Sequence, residues 1–308
     1  MIHKFKNQIR SNEYFFIVLL IAAMAIWGGS WTSGKIVSGV VTPVVLTFLR
    51  FFISFIAFIP LLVIFKEKLS IDKKSLLLTM LASVFVVAYN ILFFLGLEVG
   101  MAGAGGVLVT SINPIFTFLL SLIIFRTAIS LKEIIGLVLG LTAGLILVGI
   151  WNINNLFVSG NLIFLIASAI WSVITITGAE VQKKNSLFTY SFYLYGMSSL
   201  MMLPFAIPSG LMDIFKADHV FWLNVLYLSV ISTVFATSVF FFSSKKISAN
   251  RASSFILLVP VFALGVSFLV LGEIPNLPTI IGGIMAICGT YLINRKKLKR
   301  IGLNKSSW

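Results

Sequence analysis

The sequence predicts an all-α integral membrane protein whose ten transmembrane helices form two inverted five-helix repeats. Of its 308 residues, 59% are hydrophobic and only 10% are charged, and the mean hydropathy is +1.09. Soluble domains, in contrast, are about half apolar and about a quarter charged. Apolar runs of membrane-spanning length recur along the chain, and features of the first half reappear in the second.

Hydrophobic runs of about 17 to 25 residues are long enough to cross the hydrocarbon core of a bilayer as helices. Ten such runs occur, separated by short connections that leave no room for a soluble domain. They are 14–34, 42–65, 75–97, 102–125, 131–150, 159–181, 188–207, 220–243, 249–271 and 277–294. Between the seventh and eighth runs, the amphipathic stretch 211–216 is expected to lie in the membrane interface.

Basic residues predict the orientation, because lysine and arginine are retained on the cytoplasmic side of a membrane. Of the 23 basic residues, all but Lys35, Arg50 and Lys216 fall in the two tails and in alternate loops, on one side of the predicted topology. We therefore expect a multi-pass protein of the plasma membrane, the inner membrane in bacteria, with both termini cytoplasmic. This also accounts for the net charge of +14 without a nucleic acid partner.

Matching residues at nearly one spacing predict an internal repeat. They are Ala25-Ile26-Trp27 with Ala169-Ile170-Trp171, 144 residues apart, and Pro114 with Pro260 and Gly136 with Gly282, each 146 apart. An odd number of crossings inverts the second half, and inverted repeats hold a solute near the midplane and work by alternating access. Residues 1–150 form the first repeat, with a basic tail at 1–13, and 155–297 form the second, before a basic tail at 298–308.

Aromatic and small polar side chains at helical spacing are the candidate contacts for a solute. They are Trp27, Trp31, Tyr89, Asn90, Phe93, Trp171, Thr175, Thr233 and Thr237. Such groups suit a small zwitterionic or amphipathic solute, whereas a phosphorylated one needs more buried lysine or arginine. A structural role stays open for each, because tryptophans anchor helices at the interface and hydroxyls bond their own backbone.

Span eight carries the clearest stripe of small residues, which an α-helix would place on one face. The stripe comprises Ser229, Ser232, Thr233, Ala236 and Thr237. Pro114 and Pro260 each free a backbone carbonyl within a span, and they predict bends at matching places in the two repeats. The bent helices are either the moving elements or static kinks that serve packing.

Arg50 is the one charge expected well inside a span, at a cost of about 2.5–3.5 kcal/mol at a helix centre. Two interpretations stay open. The guanidinium snorkels outward to free carbonyls and Glu98, or it is the counter-ion of a substrate carboxylate. Lys35 shares a helix face with Trp27 and Trp31, but it lies at the outer end of span one, which favours the outer mouth or a membrane anchor.

The sequence contains no arrangement of residues typical of catalysis or of a metal site. Its nine acidic residues and two histidines lie in tails, loops or span ends, and Cys288 is the single cysteine. We therefore expect no enzyme activity, no cofactor and no metal, and we expect a small-molecule substrate and membrane lipids as partners. Without an ionisable relay at membrane depth, facilitated diffusion or exchange is favoured over ion coupling. A monomer is compatible with the sequence, which leaves the oligomeric state undetermined.

Several short motifs, in this order and spacing, resemble the EamA-type carriers of the drug/metabolite transporter superfamily. They are Trp27-Gly28-Gly29-Ser30 through Lys35, Leu49-Arg50-Phe51, Asn113-Pro114, Pro260 with Leu271-Gly272-Glu273, and Gly282 with Gly289-Thr290-Tyr291. The resemblance implies a ten-helix plasma-membrane carrier, often an exporter of amino acids or related metabolites, with a cavity lined by helices one, three, four, six, eight and nine. The chain departs from the family pattern at Thr127, where the residue matching Glu273 in the first repeat is usually glutamate.

The sequence therefore predicts a secondary transporter that moves a small, amino-acid-like solute by alternating access, as an exporter or a facilitated exchanger. Two alternatives remain. One is a non-transporting membrane receptor or interaction protein with the same hydropathy, and the other is a proton-coupled carrier of drugs or nucleotide-type metabolites. A carrier requires polar groups that converge between the repeats, in a cavity lined by Trp27, Tyr89, Asn90, Trp171 and Thr233.

Overall fold

A computed structural model of the chain describes residues 13–125, 130–149, 160–247, 252 and 255–303. In these residues the chain forms long helices joined by short connections. They are α1 Glu13–Val37, α2 Pro43–Phe65, α3 Lys73–Val99, α4 Ala102–Phe125, α5 Leu131–Val148, α6 Asn161–Val181, α7 Leu187–Ala206, α8 from His219 to Ile247, α9 Val259–Leu271 and α10 Leu277–Leu303. Helix α8 is α-helical over His219–Leu226, π-helical over Tyr227–Ala236 and α-helical again over Thr237–Ile247.

The helices coincide with the predicted apolar runs to within a few residues at most ends, so the all-helical class is confirmed. Within the described part of the chain, seven helices are long and apolar enough to cross a membrane, namely α1 to α6 and α8. Two shorter apolar helices, Ile256–Leu271 and Leu277–Ile293, follow them. A 3₁₀ turn, Ile256–Leu258, precedes α9, and a second one, Leu211–Lys216, occupies the predicted amphipathic stretch.

Five helices begin at a side chain that caps the backbone. The capping residues are Thr42, Asp72, Ser130, Ser186 and Asp218, each accepting a hydrogen bond from the N–H group three residues later. Such caps satisfy amides that have no partner in the first helical turn. At the start of α3, hydrogen bonds from Ser75 hold the pKa of the Asp72 carboxyl below its usual value.

The ends of the chain differ from the expected boundaries. Helix α10 continues to Leu303 instead of ending at residue 294. Lysine, arginine and leucine, which are good helix formers, dominate its last turns, so the helix extends into the predicted tail 298–308. Residues 1–12 of the other basic tail, and Thr127, lie outside the described residues.

Glycines allow the two halves of the chain to approach closely. A Cβ atom on Gly28 in α1 would lie 2.5 Å from the Cβ of Phe262 in α9. One on Gly289 in α10 would lie 2.7 Å from the carbonyl oxygen of Gly136 in α5. Both distances are too short for a carbon atom, so any larger residue would separate these helix pairs.

Helix contacts between the two halves are reciprocal. Helix α1 packs against α8 and α9, and α6 packs against α3 and α4. Helix α2 packs against α7, α4 against α9, and α5 against α10. If each helix of the first half is replaced by its equivalent five numbers later, and each helix of the second half by its equivalent five numbers earlier, the same set of contacts results. The interface between the halves therefore contains equivalent surfaces from each.

Candidate functional site

Four of the predicted site residues form an aromatic cluster, which we define as Trp31, Tyr89, Phe93 and Trp171. The ring centroids of Trp31 and Phe93 are 4.8 Å apart, and those of Tyr89 and Phe93 are 6.2 Å apart. Tyr89 meets Trp171 edge to face at 4.3 Å. Trp171 comes from α6 and the other three rings come from α1 and α3, so the aromatic cluster crosses the interface between the two halves.

Phe164 of α6 supports the aromatic cluster from behind, with its ring centroid 5.7 Å from that of Trp31. It is completely buried, and Cβ atoms on Gly96 or Gly105 would lie about 2.5 Å from its ring. These glycines therefore make room for the phenylalanine that holds Trp31 in place. Sequence reasoning missed this residue, because nothing in the apolar run distinguishes it among 29 phenylalanines.

Arg50 and Asn90 lie against the aromatic cluster. The Arg50 Nη1 donates a hydrogen bond of 3.1 Å to the Asn90 Oδ1, and the Arg50 Cζ lies 5.3 Å from the centroid of the Phe93 ring. Among the described residues, the ion pairs are Lys74–Glu180, Lys183–Glu180 and Lys216–Asp213, and none of them involves Arg50. The structure therefore contains no Arg50–Glu98 ion pair among the described residues, which is one of the contacts expected if the guanidinium snorkels outward.

Span eight differs from the expected continuous α-helix, because residues Tyr227–Ala236 form a π-helix, which bonds residue i to residue i+5. Four residues of the predicted stripe are nevertheless buried together there, namely Ser229, Ser232, Thr233 and Ala236. The Thr233 hydroxyl donates to the carbonyl of Leu228, five residues earlier, at 2.8 Å. Other helices donate to two further carbonyls of this segment. The Trp27 Nε1 bonds the Ser232 oxygen at 3.1 Å, and the Ser54 Oγ bonds the Ser229 oxygen at 3.0 Å.

Three predicted contacts lie apart from the aromatic cluster or are bonded to their own helix. Trp27 packs against Phe240 of α8, with ring centroids 5.4 Å apart, besides its bond to Ser232. The Thr175 hydroxyl donates to the Trp171 carbonyl one turn earlier, at 2.9 Å. Thr237 is half-buried, and no hydrogen bond within the described residues joins it to the cluster. Trp27 therefore contributes to packing against α8, and Thr175 is bonded within its own helix.

The two prolines occupy different helix positions. Pro114 lies inside α4, whereas Pro260 is the second residue of α9, directly after the 3₁₀ turn. At a helix start, the missing N–H group of proline leaves no helix bond unmade. Near Pro114, the Ser168 hydroxyl of α6 donates to the Val109 carbonyl at 3.2 Å, and the Asn113 Nδ2 donates to the Ser168 carbonyl at 3.3 Å, so two hydrogen bonds join α4 to α6 here.

Two opposite charges hold the turn between α3 and α4, residues 97–103, which we call the α3–α4 turn. The Lys35 Nζ donates to the carbonyls of Leu97, Glu98 and Gly100 at 2.5, 3.3 and 3.0 Å. Glu273 accepts from the N–H groups of Ala102 and Gly103 at 3.0 and 2.9 Å, and from the Ser267 hydroxyl. The positive group lies at the end of α3 and the negative group at the start of α4, as the helix dipoles favour.

Two cavities lie away from the aromatic cluster. One, of about 650 Å³, lies between the α1–α2 and α7–α8 connections and includes Pro43, Glu98 and Lys216. There, the bond with Asp213 raises the pKa of Lys216. The other, of about 630 Å³, is a phenylalanine-rich groove between α2 and α7. Neither contains the five residues expected to line a solute cavity. In the aromatic cluster itself, Trp31, Tyr89 and Phe93 are buried, whereas Trp171 is 38% exposed.

Two stretches of the chain, residues 14–149 and 158–295, each match the EamA-like transporter family. A protein of Archaeoglobus fulgidus named as an uncharacterized transporter is 28% identical over 289 residues, which cover 91% of this chain and 97% of the relative. The uncharacterized transporter YoaV of Bacillus subtilis is 27% identical over 291 residues, covering 91% and 98%. A solved crystal structure that is 17% identical shares the fold, with a TM-score of 0.58 over 92% of this chain and 98% of its own.

Proposed function

The chain belongs to the EamA-like transporter family, and from this premise we propose that it is a secondary carrier for a small, amino-acid-like organic solute. It crosses the plasma membrane ten times, as two inverted five-helix repeats with both termini in the cytoplasm. The solute crosses by alternating access, and the carrier works as an exporter or as a facilitated exchanger.

The reciprocal contacts between the halves support the inverted repeat. When two repeats are related by a two-fold axis, every contact between them recurs with the roles of the two repeats exchanged. The contacts of α1 with α8 and α9 match those of α6 with α3 and α4 in this way. The two separate family matches, one in each half, support the same division of the chain. Rocking of one repeat against the other would then expose a shared site to each side in turn.

The main support for the location of the solute site is the aromatic cluster together with its polar neighbours. Rings from the first repeat meet Trp171 of the second, and Arg50 of α2 and Asn90 of α3 lie beside them. Ring faces bind the apolar body of a solute, while a few polar groups fix its orientation. A site to which both repeats contribute suits a carrier, because rocking of one repeat against the other would open it to each side in turn.

The positions of the carboxylates support transport that is not coupled to an ion. Glu98 and Glu180 lie in the last turns of α3 and α6, and Glu180 pairs with Lys74 and Lys183. Glu273 lies beyond α9 and is bound by two backbone amides and Ser267. None of these described carboxylates lies in the middle of a span, where a proton or sodium relay would be placed.

Counterflow in proteoliposomes tests the proposal. Liposomes that contain the purified protein are loaded with an unlabelled solute, and uptake of the labelled solute is followed for a panel of amino acids, amines and nucleosides. We expect transient accumulation of one or more amino acids, which persists when proton and sodium gradients are abolished by ionophores. Protein-free liposomes give the background.

Each part of the proposal has its own contrary result. Exchange of amines or nucleosides with no exchange of amino acids would show that the solute class is wrong. A strict requirement for a proton or sodium gradient would show that the transport is coupled. If the protein binds a member of the panel but exchanges none, it is a receptor and not a carrier.

A further inference from the structure

Arg50 lies on the face of α2 that points into the protein. It follows Pro43, the first residue of α2, by seven positions, which places it about 10 Å along the helix. One turn on either side of it, Leu46 and Ser54 are 2% and 0% exposed. The exposed residues Phe52 and Val63 lie on the opposite face of the helix. Arg50 itself is half-buried.

Most hydrogen-bond donors of Arg50 have no acceptor in the part of the chain that the structure describes. A guanidinium carries five N–H groups. One of them bonds Asn90, and the described residues offer no other acceptor and no carboxylate to the remaining ones. The titratable groups close enough to interact electrostatically are the phenols of Tyr89 and Tyr195. Since an intramembrane charge is costly, an arginine kept in this state points to a partner that comes from outside the chain.

Asn90 and Phe93 fix the orientation of this guanidinium. The Asn90 Nδ2 donates to the Val86 carbonyl at 2.9 Å, which turns the Oδ1 of the same amide towards Arg50. The face of the Phe93 ring covers the Arg50 Cζ at 5.3 Å. One edge and one face of the planar group are thus engaged, and its remaining edge presents parallel N–H groups. That arrangement matches the two oxygens of a carboxylate.

We propose that Arg50 binds the carboxylate of the transported solute, with Asn90 and Phe93 as positioning residues. This inference rests on the proposed function and narrows its substrate class to monocarboxylates with an apolar or aromatic body. The body lies along Phe93, Tyr89 and Trp171, whose rings continue from the guanidinium towards the second repeat. The ammonium group of an amino acid meets ring faces, which attract cations, and it adds to binding without being required.

A single cation selects the charge of the solute. One guanidinium compensates one negative charge, whereas a phosphate ester with two charges requires further lysine or arginine side chains. In the described spans, Lys35 is already bonded to three carbonyls of the α3–α4 turn and is not available for this purpose. The site therefore favours carboxylates over phosphorylated metabolites and over amines.

Matched pairs of inhibitors test the inference. Phenylalanine, leucine and valine, each with its primary amide, compete for the exchange of a labelled amino acid in proteoliposomes, together with 3-phenylpropanoate and phenethylamine. We expect the acids, including 3-phenylpropanoate, to inhibit at least about tenfold better than the amides and the amine. The variant Arg50→Gln should lose this preference, and Lys35→Gln, the matched change at a bonded cation, should keep it.

Asn90→Asp provides a second variant that keeps the size of the side chain. Its new carboxylate would pair with Arg50 and neutralise the charge of the guanidinium, so inhibition by the acids should fall at least about tenfold. If the amides inhibit the wild-type protein as well as the acids do, the inference is wrong although the carrier function stands. If no solute is exchanged at all, the proposed function itself fails.

Discussion

Lys35 and Arg50 are both basic residues within helices of the first half, and their surroundings differ. The Lys35 ammonium donates to three carbonyls at the end of α3, whereas among the described residues the Arg50 guanidinium donates only to Asn90. The first charge completes a helix end, and the second keeps donors for a partner. The satisfied donors of Lys35 indicate a structural charge, and the unsatisfied donors of Arg50 are the basis on which we propose it as the binding charge.

The same contrast extends to the regions around the two residues. In the α3–α4 turn, Lys35 and Glu273 satisfy backbone groups that would otherwise have no partner. In the aromatic cluster, the contacts are between rings, and the polar groups beside them keep free donors. We expect substitutions in the α3–α4 turn to lower stability and leave solute affinity intact. Substitutions at the aromatic cluster and its polar neighbours should lower solute affinity and change stability less.

Arg50→Gln should have the largest effect. We expect exchange of the carboxylate solute to fall about 100-fold, or about 2.7 kcal/mol, because charge-assisted hydrogen bonds contribute about 1.5–3 kcal/mol each. The melting temperature in detergent should stay the same or rise, because the variant removes an uncompensated charge from a span. Transport kinetics measure the exchange rate, and thermal unfolding of the same preparation measures the melting temperature. A variant that loses stability and keeps solute affinity would return Arg50 to a structural role.

Glu273→Ala should lower the free energy of unfolding by about 2 kcal/mol, because the amides of Ala102 and Gly103 lose a charged acceptor. The KM for the solute should change less than about twofold among the molecules that stay folded. Asp213→Ala is the matched control, since its ion pair with Lys216 is exposed and contributes little. Equal melting temperatures for both variants would contradict the role of Glu273 at the α3–α4 turn.

Lys35→Met should cost about 1.5 kcal/mol of stability, because the carbonyls of Leu97 and Gly100 lose a charged donor while the aliphatic stem keeps its packing. The acids should still inhibit exchange better than their amides, by the same factor as in the wild-type protein. Thermal unfolding and the inhibitor pairs provide the two readings. A loss of the preference for acids, with stability unchanged, would place Lys35 in the solute site.

Trp171→Ala should raise the KM about five- to tenfold, corresponding to about 1–1.4 kcal/mol, because the solute loses one ring and Tyr89 loses its edge-to-face partner. Trp171→Phe should recover most of the affinity. Thr175→Val, one turn away, should change the KM less than about twofold, because its hydroxyl is bonded to its own helix. Unchanged transport by the alanine variant would remove Trp171 from the site.

The sequence was sufficient for the parts of the molecule that depend on composition and periodicity. Runs of apolar residues located the helices, and the i to i+4 spacing placed Tyr89 and Phe93 on one face of α3. The echo of Trp27 in Trp171 predicted a pair of solute-site residues, and the structure places Trp171 in the aromatic cluster. It could not show that Trp27 itself packs on α8 and away from the aromatic cluster.

The remaining features depend on which faces meet, and periodicity does not contain that information. The π-helix in α8 receives donors from Trp27 and Ser54, both distant in sequence. Phe164 owes its place behind Trp31 to glycines on two other helices. In the same way, Glu273 acts on α4, about 170 residues earlier in the chain, and only the fold brings the two together.

Solute-induced stabilisation tests the central contrast between the two cations most directly. A ligand that binds the folded protein at a concentration of about 100 times its Kd adds about 2.7 kcal/mol of stability. We predict that an exchanged amino acid raises the melting temperature of the wild-type protein and of Lys35→Met by similar amounts, and that of Arg50→Gln hardly at all. An equal rise in Arg50→Gln would contradict the assignment of Arg50 to the solute.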